Sequence, residues 1–223
     1  MRISGMIALL LVPVFVTTLV RAEPNLQSNA LHPDPRVESM VNEAFAREAS
    51  GDWKGAIDLY QKILKIYPRE VRAMNSISGA YGELVQFREM AAWAKRAFTF
   101  DPKYMPAYVN YGSALVELGR VGEAEKAYRQ ARRLEPSDPV PVYSLGTIAE
   151  RRRRIREAVG YYQMAVLLDP GFEDAYFNLA GIYLDLKKYK EAITNLKKVL
   201  ELNPDAEDAK AMLTEIEQKR NNR

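Results

Sequence analysis

Apolar residues recur at three-and-four spacing along most of the chain, as in Tyr108, Tyr111 and Leu115 or Tyr176, Leu179 and Tyr183. That spacing is one face of an α-helix. The pattern is cut at regular intervals, because Pro68, Pro102, Pro136, Pro170 and Pro204 each stand 34 residues after the last. Self-similarity at such a period marks a stack of repeats, each burying its apolar face against its neighbours. In windows beginning at Val37, Val71, Met105, Pro139 and Glu173, the eighth position is always small: Ala44, Ser78, Gly112, Gly146 and Ala180. The twentieth is small in four of five windows (Ala56, Met90, Ala124, Ala158, Ala192). Large residues fill most of the seventeenth (Trp53, Phe87, Val121, Ile155, Tyr189) and twenty-fourth positions (Tyr60, Ala94, Tyr128, Tyr162, Leu196). Small residues let two helices approach, and large ones fill the space between them, so each window predicts a helical hairpin.

The second helix of each hairpin is expected to run from near position seventeen to the residue before the proline, whose ring disfavours helical geometry in its predecessor. Asp101, Glu135, Asp169 and Asn203 stand there. Pro35 after Asp34 and Pro139 after Asp138 predict first turns capped by a carboxylate. A charged segment from about 205 to 220, with Ala209, Met212, Leu213 and Ile216 on one side, predicts a closing helix over the last repeat. The fold class is therefore all-α, with repeats at 37–70, 71–104, 105–138, 139–172 and 173–206 and a capping helix and tail at 207–223.

The first 22 residues read differently. Arg2 precedes an apolar run from Ile7 to Val20, followed by Val20-Arg21-Ala22 with small residues at the positions a signal peptidase inspects. This predicts a signal peptide over 1–22 cleaved after Ala22, then a linker over 23–36, and a protein that works in the periplasm or outside the cell. The competing reading is an N-terminal membrane anchor, for which the run falls short of the about 20 apolar residues a span needs.

The chain has 223 residues, 48% hydrophobic and 27% charged, the balance of a folded domain. Its net charge of +3 falls further without the first 22 residues, which hold Arg2 and Arg21 and no acid. Global charge therefore argues against nucleic acid as a partner. There is no cysteine and the single histidine is His32 in a polar, proline-containing stretch, which excludes thiol chemistry, disulfides, a Ser-His triad and multi-histidine metal sites. No phosphate-binding glycine loop, calcium loop or carboxylate pair in a catalytic context is present. The sequence thus predicts no enzyme, no cofactor and no metal.

Stretches such as "AYFNLAGIYLDLKKYKEAITNLKKVLELNP" and "GDWKGAIDLYQKILKIYP" resemble the tetratricopeptide repeat family, and the resemblance covers about Val37 to Arg220. It implies a right-handed superhelix, an α-solenoid of five helix-turn-helix repeats, and a role in protein–protein interaction. The first window departs from the family pattern with Glu43 and Arg47 at usually apolar positions, as suits a repeat that nothing precedes.

In the family, positions two, five, nine, twelve and thirteen of the first helices face a concave groove. The resemblance therefore implies apolar contacts from Phe45, Val109, Tyr143 and Phe177, and an acidic row of Glu48, Glu83, Glu117, Glu150 and Asp185. Such a groove suits an extended or helical protein segment that is apolar with some basic residues. The same acids also fit the solvated ends of first helices. Members that clamp a C-terminal carboxylate carry Lys at position five, where this chain has Val41, Asn75, Val109, Tyr143 and Phe177. That clamp is absent. The sixth positions alternate Asn and Ser, and Asn110 and Asn178 fit either bonds to a peptide backbone or bonds to neighbouring helices.

Residues 150–157 read "ERRRRIRE". In register, Arg151, Arg152, Arg153 and Arg154 end one helix and turn into the next, where cations suit the helix dipole. Repeat four gives up a turn glycine and a leucine there, so the run is also a candidate contact for an external anion. Basic residues on second helices, including Arg129, Arg132 and Arg133, leave a polyanion or acidic membrane surface as the alternative partner. A regulatory subunit of a separately encoded enzyme also stays open.

Overall fold

The computed structural model of the chain describes residues 34–221, with side chains through 218. The signal or anchor segment of residues 1–22 and most of the linker lie outside the described residues. Among those described there are eleven α-helices: α1 Pro35–Ala49, α2 Trp53–Ile66, α3 Val71–Glu83, α4 Phe87–Phe100, α5 Met105–Glu117, α6 Val121–Leu134, α7 Pro139–Arg151, α8 Ile155–Leu168, α9 Glu173–Asp185, α10 Tyr189–Leu202 and α11 Glu207–Asn221. Two compact units divide at Phe100, the first holding α1–α4 and the second α5–α11.

In the first unit each helix packs on the next, α1 on α2, α2 on α3, α3 on α4. Tyr60, Ile63, Met74, Ile77 and Met90 are fully buried there. Each such side chain contributes about 1.5–3 kcal/mol relative to exposure. At the small eighth position, Ser78 donates its hydroxyl to the Met90 carbonyl at 2.8 Å, which satisfies a buried polar group across the hairpin. On the outer side Arg47 reaches both Glu43 at 3.0 Å and Asp52 at 2.7 Å, so the polar departures of the first window pair with one another at the surface.

In the second unit α5 to α11 likewise pack in sequence order. Gly112 and Gly146 lie against the rings of Tyr128 and Tyr162, so close that a Cβ would stand 2.7 Å and 2.6 Å from ring atoms. The small and large columns of the sequence therefore do meet as knob and gap. At the far end Ala209 and Ile216 of α11 are buried against Ala192, Leu196 and Val199 of α10, as expected for a closing helix.

Helix ends follow local chemistry. Asp34 and Asp138 accept from the backbone N–H of Arg36 and Val140, ahead of prolines in the first turn. Helix α1 starts at Pro35, two residues before the first repeat boundary. Second helices stop one residue earlier than the sequence suggests, because Tyr67, Glu135, Asp169 and Asn203, each before a proline, leave helical geometry at φ −123°, −130°, −133° and −138°.

All five hairpin turns have one form. The residue at position fifteen is left-handed and the next N–H bonds five residues back, as in Gln86 to Tyr81 and Arg154 to Ala149, both at 2.8 Å. Gly51 and Gly119 suit this backbone, but Val85, Arg153 and Lys187 adopt φ of 58°, 58° and 59°. Val85 is the most strained by its branched Cβ and is 67% exposed, so it loses little contact on truncation. Val85→Gly is expected to stabilise the protein by about 1 kcal/mol, a rise of roughly 2–4 °C in the thermal midpoint. A lower midpoint would show that the turn is not strained.

Candidate functional site

The first helices of the second unit carry a connected set of polar groups. Asn178 on α9 donates to the Tyr143 hydroxyl on α7 at 3.0 Å, and Arg151 on α7 lies 3.8 Å from Glu117 on α5. These contacts join successive repeats along the face where the family groove was expected. Tyr162 on α8 donates to the Glu150 carboxylate at 2.7 Å, tying that face to the second helix behind it. Burial pushes the Glu150 pKa up, the Tyr162 bond opposes this, and the Asp185 charge adds to the rise. Glu150 and Asp185 thus raise the local cost of negative charge. Burial also raises the Tyr143 pKa, helped by Asp174 and Glu150 and opposed by the bond from Asn178.

Burial changes how several expected groove residues can act. Val109 is 5% and Tyr143 7% exposed, so neither offers the open apolar surface the sequence suggested, and Tyr143 instead packs on Tyr162 and Phe172 with ring centroids 5.5 and 5.0 Å apart. Their side chains are needed in the core. Phe177 and Asn178 are half-buried and Asp185 is exposed, which leaves α9 as the accessible wall. Asn178 takes the helix-to-helix role among its two open readings. In the first unit Phe45, Glu48, Asn75 and Glu83 are all half-buried. The Glu48 and Glu83 carboxyls are pushed up chiefly by burial, so neither behaves as a fully solvated helix end.

The arginine run is largely engaged from within. Glu125 on α6, only 7% exposed, receives Arg129 at 2.6 Å, Arg154 at 3.3 Å and Arg152 as a close partner. Arg154 also meets Glu157 at 3.0 Å. With Arg151 3.8 Å from Glu117, three of the four arginines expected as an external anion contact are ion-paired within the protein, as a clasp between the third and fourth repeats. A buried carboxylate attracts several guanidinium groups because each restores part of its lost hydration. Arg153 is exposed at the left-handed position of the turn.

Glu125 was missed in the sequence although a signal exists. It stands at position twenty-one, where the other repeats carry Ile57, Ala91, Val159 and Ile193.

Paired antiparallel helices in register, with polar groups bridging successive first helices and no assembled catalytic set among the described residues, define a helical-repeat interaction protein. Residues 38–69, 106–138 and 173–206 each match a family model described as tetratricopeptide repeat, so the chain carries tetratricopeptide repeats. It is 29% identical over 116 residues to small glutamine-rich tetratricopeptide repeat-containing protein 2 of Mycosarcoma maydis, covering 52% of this chain and 33% of that protein. It is 28% identical over 127 residues to the heat-shock protein cognate (HSC) co-chaperone sgt12 of Aspergillus fumigatus, covering 57% and 37%. The chain thus spans about a third of the length of these curated relatives. Among solved structures, MamA aligns with a TM-score of 0.60 at 26% identity over 75% of this chain and 96% of that one. The pilF protein of Pseudomonas aeruginosa aligns with a TM-score of 0.72 at 16% identity over 83% and 86%, a likeness of fold.

Proposed function

We propose that this protein is an extracytoplasmic adaptor that binds an apolar, lysine- or arginine-bearing segment of a partner on the first-helix face of its second unit, in assembly of envelope or secretion machinery. The observations that carry the site are the Glu150 carboxyl, held up by burial with the Asp185 charge adding to the rise, and the half-buried Phe177 and exposed Asp185 on α9. A partner cation beside these carboxyls lowers the cost of their charge while Phe177 supplies apolar contact. The export reading rests on the apolar run and the Ala22 site of residues 1–22. The co-chaperone role in one relative's name is not carried over, because position five holds none of the clamp lysines.

A fluorescent peptide alternating Lys and Leu, titrated into the full chain, tests the site. Binding is expected to weaken at least about tenfold when Asp185→Asn and Phe177→Ala are combined. Because a bound cation favours the charged form of Glu150, whose pKa is raised in the unbound protein, affinity is expected to fall as pH drops from neutral through the carboxylate range. Glu150→Gln should flatten that dependence. An unchanged affinity in the double variant sinks the site, and an exported form that retains Met1 rather than beginning at Glu23 sinks the cleaved signal.

A further inference from the structure

We propose a second docking site, in the cleft between α6 and the outer face of α8, for an acidic amphipathic segment of a partner protein. Lys126, Arg129, Arg132 and Arg133 of α6, with Pro136 beyond it and Tyr161 of α8, line an open cleft of about 680 Å³. That volume lies within the range of ligand-binding clefts. No carboxylate lines it. Glu125, next to Lys126, is buried and shared by Arg129, Arg152 and Arg154, and Arg154 also meets Glu157, three cations for two anions. The four cations lining the cleft outnumber the acids beside it, Arg129 being drawn to Glu125 and Glu135 standing at the end of α6.

The side contributed by α8 is partly apolar: Tyr161 lines the cleft. Met164, 37% exposed, and Leu167, 80% exposed, follow it at three-residue spacing on the same helix. Arg132 Nη2 donates to Met164 Sδ at 3.5 Å, which joins the two walls. The Tyr161 ring and the exposed part of Met164 favour an occupant that brings apolar side chains of its own. The occupant must carry carboxylates toward α6 and apolar groups toward α8. A flat lipid surface does not enter a cleft, and single-stranded nucleic acid would find one aromatic platform, Tyr161, where stacking of successive bases needs several. An acidic amphipathic peptide segment satisfies both walls.

The test is fluorescence anisotropy of a labelled octapeptide alternating Asp and Leu, titrated into the full chain at low salt. Saturable binding is expected. It should weaken at least about tenfold in the combined variant Lys126→Glu and Arg133→Glu, two exposed positions, through loss and reversal of charge complementarity. Leu167→Gln should weaken it at least about threefold through loss of apolar burial. The inner variant with Glu150→Gln and Asp185→Asn should leave it unchanged, which separates this site from the first-helix face. Circular dichroism and thermal melts of every variant verify the fold. Equal affinity for an octapeptide of Asp alone, with no effect of Leu167→Gln, would reduce the site to bulk charge and overturn the proposal. So would failure of the octapeptide to bind while phosphatidylserine vesicles or single-stranded DNA bind through Lys126 and Arg133.

Discussion

Glu125→Ala is expected to lower stability by about 2–4 kcal/mol, read as a shift of the urea midpoint at unchanged slope. The carboxylate is nearly buried and its three arginine partners are 55%, 37% and 31% exposed for Arg129, Arg152 and Arg154. Its removal leaves cations drawn together with no anion between them. Their partial access to water keeps the loss below that of a fully buried pair. Arg154 keeps Glu157 as a partner at 3.0 Å, which limits its share of the loss. Apolar replacement of both sides should act differently. Glu125→Ile with Arg152→Leu gives positions twenty-one and fourteen residues that occur there in other repeats, as Ile57 and Ile193 or Leu118 and Leu186. This pair is expected to recover most of the lost stability, because a buried ion pair is often replaced by packed apolar groups without penalty. An Ala variant as stable as the parent would mean that the arginines solvate themselves and the clasp is incidental.

The clasp also shows how far the sequence could be read. Helix number, order and pairing were legible because prolines at a fixed period punctuate the chain and the small and large columns repeat in each window. Turn form was legible only in part. Gly51 and Gly119 announce a left-handed residue, but Val85, Arg153 and Lys187 adopt the same backbone because the hairpin on either side requires it. The groove was read less well, since its positions came from a family pattern that does not say how deep each side chain sits. Val109 and Tyr143 are buried, and Tyr143 packs against Tyr162 and Phe172 of its own repeat. The acidic row divides for a similar reason. Glu48 and Glu150 stand in the two repeats that combine Glu at position twelve with Tyr at twenty-four, and the Glu150 carboxylate accepts the Tyr162 hydroxyl. That pairing was visible as a correlation between columns, which reading each column by itself does not reveal. The same holds for Glu125, two of whose three partners, Arg152 and Arg154, lie in the next repeat.

The largest effect is expected from Tyr162→Ala, a loss of about 3–5 kcal/mol, as for other large aromatic truncations in cores. Tyr162 is completely buried among Val142, Tyr143, Ala158, Ala165 and Leu179. Its removal leaves a cavity beside Gly146 and orphans the half-buried Glu150 carboxylate at once. The complementary change approaches the pair from the other side. Gly146→Ala gains about 1 kcal/mol of helix propensity, yet its Cβ would lie 2.6 Å from the Tyr162 ring, where overpacking costs about 1–3 kcal/mol. A net loss of about 1–2 kcal/mol follows if the ring cannot move. Repeat five solves the same contact with Ala180 opposite Leu196, both buried. Gly146→Ala combined with Tyr162→Leu imports that solution into repeat four and should be more stable than the sum of the two single losses predicts. The Glu150 carboxylate still lacks the tyrosine hydroxyl in this variant, so the rescue is expected to be incomplete at neutral pH. It should improve as pH falls, because protonation of Glu150, whose pKa is already raised by burial, removes the charge that has lost its donor. Strict additivity of the two substitutions, measured by denaturant unfolding, would show that positions eight and twenty-four do not select each other's size.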